Sequence, residues 1–136
     1  MILNQSVEYF HTKHIKKFCM SSYFPNPLLE SLVPIVRAAG EVVMAVYATD
    51  FDVVQKGDAS PVTQADGQAE AVIAAALMRL TPDISVVGEE AMSAGQVPNV
   101  GERFWLVDPL DGTKEFISRN GEFTVNIALI ERGQAA

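Results

Sequence analysis

The sequence predicts an α+β fold in which two helices pack on a sheet of antiparallel type. Three observations lead there. Apolar residues recur at helical spacing in two separate stretches before residue 81. Short apolar runs of strand length follow at 84–87, 104–107 and 122–130, with no comparably long helical stretch between them. Finally, 136 residues with 49% hydrophobic side chains are enough for one core. The last strand-like run lies close to Ala136, where an unpaired strand would expose its ladder groups. Partner strands are therefore expected outside these residues, and the sheet is expected to be incomplete in this chain.

The breaker cluster Phe24-Pro25-Asn26-Pro27 marks the expected start of the folded part. Residues 1–26 are read as a loosely ordered extension. A first helix is expected from Leu28 to about Ala48, with Leu32, Ile35, Val36, Ala39, Val43, Val46 and Tyr47 on its apolar face. Pro34 conflicts with the interior of a helix, because it lacks an N–H and clashes with the preceding turn. Either Ser31 is the N-cap and Pro34 sits in the first turn, or a longer helix kinks. Lys56 to Thr63 reads as a turn-rich loop. A second helix follows from Ala65 to Leu80, with Ala69, Val72, Ile73, Ala76, Leu77 and Leu80 on one side and Thr63 or Asp66 as its cap. Ile84 to Val87 is a short strand closed by Gly88-Glu89-Glu90, and residues 91–102 are a loop. A strand over Phe104–Val107, a short helix from Thr113 to about Ile117 and a longer strand over Glu122–Ile130 complete the walk.

The formal net charge is −7. That argues against a nucleic acid polymer as partner, which needs stripes of Lys and Arg. An anionic small molecule remains compatible, since bound cations invert the local field. No apolar run reaches the length of a transmembrane segment. The single Cys19 cannot form an internal disulfide, which points to a reducing, cytoplasmic setting. Charge is uneven: residues 1–24 carry +2 and the other 112 carry −9. The basic cluster His11, Lys13, His14, Lys16 and Lys17 has no secretory pattern. Its alternative role is peripheral contact with the inner membrane. His11 and His14 have a spacing that metal ligands use, but no third ligand is nearby in sequence.

The chemistry concentrates in Trp105-Leu106-Val107-Asp108-Pro109-Leu110-Asp111-Gly112-Thr113-Lys114. An apolar run ends in two carboxylates three residues apart. Carboxylates at the end of a buried strand are costly unless paired or coordinated. Two of them, with the Leu110 carbonyl, form a set of hard oxygens that suits Mg²⁺. Gly112 and Thr113 offer backbone N–H groups where a helix begins, a place that receives phosphate well. A turn that merely closes a strand is the alternative. Glu89 and Glu90 form a second acidic cluster at a strand end, and Glu89 would meet Asp108 if the two strands are neighbours. Asp58, on the loop ending in Ser60-Pro61-Val62-Thr63, is a candidate proton acceptor or a turn cap. The pattern Asp-x-Asp-Gly-Thr of phosphatases that use a covalent aspartate does not fit, because two residues separate Asp108 from Asp111.

Trp105 to Phe116, preceded by Gly88-Glu89-Glu90, resembles the signature of the inositol monophosphatase superfamily of Mg²⁺-dependent, lithium-sensitive phosphatases. Lys56 to Asp66 and Asn120-Gly121-Glu122-Phe123-Thr124-Val125-Asn126-Ile127-Ala128 resemble one branch, the 3′(2′),5′-bisphosphate nucleotidases of sulfur metabolism. The resemblance runs from about Leu28 to Gly133. It implies that residues 27–136 are the N-terminal part of a layered sugar-phosphatase-type fold. Glu89, Asp108 and the Leu110 carbonyl would hold one Mg²⁺, and Asp108 with Asp111 a second, of two or three ions in all. Leu110, Asp111, Gly112 and Thr113 would line the scissile phosphate, and Asp58 with the Thr113 hydroxyl would activate water. The substrate implied is a small phosphorylated nucleotide, 3′-phosphoadenosine 5′-phosphate, losing its 3′-phosphate. An inositol monophosphatase or another sugar phosphatase is the alternative. The superfamily also uses a later Trp-Asp motif and base- and sugar-binding residues that do not occur in this sequence, so a chain without turnover is a further expectation.

Overall fold

The computed structural model describes residues 7–12, 15–20, 27–57 and 61–135. Lys13, His14, Asp58, Ala59 and Ser60 lie outside the described residues.

Helix α1 (Pro27–Tyr47) starts earlier than a Ser31 cap would allow. Pro27 takes the first helical position, where its missing N–H costs nothing. Ser31 lies inside the helix and its Oγ donates back to the Pro27 carbonyl at 2.9 Å. Pro34 is therefore accommodated within the longer helix, leaving the Glu30 carbonyl without its usual donor. Helix α2 (Gln64–Leu80) matches its sequence pattern closely. Its two candidate caps act together. Thr63 Oγ1 accepts from the Ala65 amide (3.2 Å), while the Asp66 carboxylate accepts from the Thr63 amide (2.8 Å) and hydroxyl (2.9 Å).

The main sheet has the order β5 (Ser85–Gly88), β6 (Arg103–Asp111), β7 (Thr124–Glu131), β8 (Gln134–Ala135). The β6/β7 pair is antiparallel, as anticipated, and β7 has a second antiparallel partner, β8, within the chain, where its further partners were expected outside these residues; β5 and β6 run parallel. The intervening stretch 89–102, which includes helix α3 (Glu89–Ser93), is long enough for the crossover that a parallel pair needs. Trp105 and Val107 of β6 and Val125, Ile127 and Leu129 of β7 are buried with Leu32, Val36, Ala39, Val43, Ala69, Ile73 and Leu77 of the two helices, forming one core. The alternation of buried and open positions along β7 is that of a sheet with one covered face.

Strand β6 does not stop at Val107. It continues to Asp111 through a bulge between Asp108 and Asp111, after which helix α4 (Thr113–Ile117) begins. The stretch expected to be a loop contains β4 (Pro61–Thr63), which pairs antiparallel with β3 (Val53–Gln55) just before that stretch. Within residues 1–26, β1 (Val7–Thr12) pairs antiparallel with β2 (Ile15–Met20), and β1 lies against α1 and β7.

One aromatic cluster ties α4 to the end of α1. Phe116 packs against Tyr47 (5.1 Å between ring centres), Phe51 (4.7 Å) and Phe123 (5.1 Å). Arg119 lies over Phe51 at 4.8 Å and donates to the carbonyls of Tyr47 and Thr49, both at 2.6 Å. Among the described residues no helix is long and apolar enough to cross a membrane.

Candidate active site

The parallel pairing of β5 with β6 sets Gly88 opposite Val107. The next residues are Glu89 and Asp108, so the sheet delivers both carboxylates to the same edge. The Asp108 carboxyl is pushed up to about 7. Burial is the largest cause, followed by the hydrogen bond and negative charge of Glu89 and then the charge of Asp111. The Leu110 amide, donating to Asp108 Oδ1 at 3.3 Å, opposes this only in part. Asp111 is exposed and accepts from Asn126 Nδ2 at 3.1 Å. Asn126 Oδ1 is buried and has no donor.

Glu89 and Glu90 share one cation. Lys56 Nζ lies 2.8 Å from Glu90 and 3.5 Å from Glu89, with its own side chain only 12% exposed. Burial alone would lower the Lys56 ammonium; the ion pairs with Glu90 and Glu89 outweigh it and leave the pKa raised. Glu90 is also raised, first by burial, against the pull of Lys56 and with the charges of Asp66 and Glu89 adding to it. With Glu89 drawn toward Lys56 and Asp111 toward Asn126, no group of three or more His, Cys, Asp or Glu side chains among the described residues is closed around a ready cation position.

Thr113 stands at the start of α4. Its Oγ1 lies 3.2 Å from Asp66 Oδ1 and 3.2 Å from the Leu110 carbonyl. Asp66 is 1% exposed, and its other oxygen is held by Thr63. The carboxylate that meets the Thr113 hydroxyl is thus Asp66, which the sequence suggested only as a helix cap; Asp58 lies outside the described residues. Gly112, before Thr113, has φ +93, and a Cβ there would meet the Glu122 carbonyl at 2.8 Å. Only glycine fits this left-handed turn. Lys56, Glu89, Asp111, Gly112, Thr113, Lys114 and Glu115 line a pocket of about 270 Å³.

Four residues at this edge escaped the sequence reading: Lys56, Asp66 in its second role, Glu70 and Asn126. Two left a trace. Asn126 is a polar residue inside the apolar run Val125–Ile130, and Asp66 and Glu70 sit on the same helical stripe as Ala69 and Ile73. A carboxylate on a buried stripe needs a partner. Lys56 left none, because a lysine in a turn is ordinary.

The order of motifs, the mixed sheet carrying two helices and the acidic edge define an α+β fold with carboxylates gathered at one end of its sheet. The model of the inositol monophosphatase family matches residues 25–136, and the chain belongs to that family. Among its relatives is the 3′(2′),5′-bisphosphate nucleotidase CysQ of Escherichia coli O157:H7, 54% identical over 109 residues, which are 79% of this chain and 44% of that protein. Among solved structures, the CysQ of Bacteroides thetaiotaomicron is 38% identical with a TM-score of 0.61, covering 84% of this chain and 41% of that one. The extragenic suppressor protein suhB of Bartonella henselae superposes with a TM-score of 0.70 at 28% identity, covering 82% and 43%. The chain spans less than half the length of these relatives.

Proposed function

We propose that this chain is the N-terminal part of a phosphate monoester hydrolase that removes the 3′-phosphate from 3′-phosphoadenosine 5′-phosphate. The observation that carries the reading is the contact of the Thr113 hydroxyl with the buried Asp66, beside the edge where Glu89, Asp108 and Asp111 crowd together. The likeness to CysQ proteins supports the nucleotide as substrate.

The donor set fits a hard divalent cation. It is all oxygen, and burial, with the neighbouring carboxylates of Glu89 and Asp111 adding to it, pushes the Asp108 carboxyl up to about 7. Glu89, Asp108 and the Leu110 carbonyl would hold one Mg²⁺, and Asp111 would join Asp108 on a second. When bound there, Mg²⁺ supplies positive charge against the phosphoryl oxygens and acidifies a water. The chain's own residues do the rest. Thr63 fixes the Asp66 carboxylate. Asp66 in turn accepts the Thr113 proton, which leaves the Thr113 oxygen free to accept from a water and aim it. The Lys56 and Lys114 side chains line the pocket and favour an anionic substrate within an acidic chain.

Phosphate release from 3′-phosphoadenosine 5′-phosphate, compared with inositol 1-phosphate and fructose 1,6-bisphosphate, tests the assignment. Preference for the nucleotide, lost in EDTA, is expected. Preference for inositol 1-phosphate would move the protein to the sugar-phosphatase alternative. Mn²⁺ binding without release of phosphate from any of the three would identify a metal-binding remnant.

A further inference from the structure

Helix α3 begins directly after β5, and the residue before its first turn is Gly88, which has no side chain to meet the leading amides. The acceptor comes from a different element. Glu70, on α2 and 9% exposed, brings Oε1 to 2.8 Å from the Glu90 amide and Oε2 to 2.9 Å from the Ala91 amide. A Cβ on Gly88 would run into the Glu70 carboxylate, so glycine at 88 is what lets that group reach across. The arrangement is costly in one respect: it puts a further negative charge next to Glu89 and Glu90, which Lys56 offsets in part. A neutral Ser or Asn would cap a helix as well. What a carboxylate adds is two oxygens on two consecutive amides, which stops α3 from turning about its axis.

The first residue of that helix is Glu89, whose carboxylate shares a hydrogen bond with Asp108, and the second is Glu90, paired with Lys56. We propose that Glu70 is a positioning residue for the acidic edge: by reaching over Gly88 to hold the Glu90 and Ala91 amides, it sets Glu89 where it can share a cation with Asp108. This rests on the reading of Glu89 as a cation ligand. Glu70 touches no substrate in this scheme and acts only through α3.

The test uses Mn²⁺ titrated calorimetrically into the full chain, with amide hydrogen exchange on the same samples. In Glu70→Ala the Mn²⁺ dissociation constant is expected to rise by about tenfold or more, the usual effect of removing a group that orients a ligand. Protection of the Glu90 and Ala91 amides should fall with it. Glu70→Gln, which keeps one carbonyl acceptor, should lose less of both. Gly88→Ala should mimic Glu70→Ala on its own and add little when the two are combined, since the obstructing carboxylate is then gone. A folded Glu70→Ala variant that binds Mn²⁺ as tightly as the wild type, or keeps its protection at Glu90 and Ala91, overturns the proposal. Failure of the underlying cation reading looks different: the wild type itself would take up no Mn²⁺, and the exchange at Glu90 and Ala91 would still decide whether Glu70 holds the helix.

Discussion

Replacing Asp108 by Asn should make the metal-free protein more stable, and the size of the gain should depend on pH. In the folded chain the Asp108 carboxyl keeps its proton up to about 7, against an ordinary value of 3.8, because it is half-buried beside Glu89 and Asp111. Between those two values the folded state binds more protons than the unfolded one. Stability must then fall as pH rises through that window and level off above it. The gap between 3.8 and about 7, at ~1.4 kcal/mol per pH unit, sets an upper bound of ~4 kcal/mol. Asp108 is only half-buried and solvent screens it, so about 1–2 kcal/mol is the expected penalty at pH 8. Asn has the same shape, can still accept from the Leu110 amide and carries no charge. Urea unfolding in EDTA at pH 5 and pH 8 measures the effect: the variant should gain about 1–2 kcal/mol over wild type at pH 8 and clearly less at pH 5, where only part of the window has been crossed. Mg²⁺ should reverse the ranking, raising the midpoint of the wild type and leaving the variant unmoved. A variant no more stable than wild type at pH 8, or a gap that ignores pH, would refute the claim that crowded carboxylates define this edge.

Three further outcomes follow from the geometry. Thr113→Val, which keeps shape and loses the hydroxyl facing Asp66, should lower kcat by at least ~100-fold with little change in KM, while Thr113→Ser retains most activity. Gly112→Ala forces a Cβ against the Glu122 carbonyl in a left-handed turn and should cost about 1–3 kcal/mol, read as a lower urea midpoint. Arg119→Met removes both hydrogen bonds to the α1 terminus but keeps part of the stacking on Phe51, and about 1–3 kcal/mol of lost stability is expected by thermal melting.

Sequence was most informative where structure is local. Helix α2 carries its own instructions: a capping box, a stripe of Ala65, Ala69, Ile73 and Leu77, and a stop at Thr81-Pro82. The strand over 124–131 announced itself by alternation. Helix α1 was located to within a residue of its start, but Pro34 left a choice between a Ser31 cap and a longer helix, and the packing of Leu32, Ile35 and Val36 stabilises the helix that runs through the proline. Helix α3 was missed for a physical reason. It is five residues long with no cap of its own, and its acceptor, Glu70, lies nineteen positions before it in the chain. The direction of β5 was also hidden, since no local pattern separates a parallel neighbour from an antiparallel one. At the site, the residue types in Asp108–Thr113 pointed to cations and phosphate. The partners Lys56, Asp66 and Asn126 come from other elements and became visible only once the chain was folded.

In a regular strand, residues three apart face opposite sides of the sheet, so Asp108 and Asp111 would be divided by the backbone. The irregularity between them changes that: three steps along β6 match two along β7, from Asn126 to Thr124, and both aspartates come out on the same side. Pro109 falls where the ladder is already interrupted and has no N–H to forfeit. The stringency of this motif is therefore one of counting more than of chemistry. A substitution at Leu110 disturbs packing, whereas losing or gaining a single residue between the two aspartates would send one of them through to the hydrophobic side and dismantle the edge at a stroke.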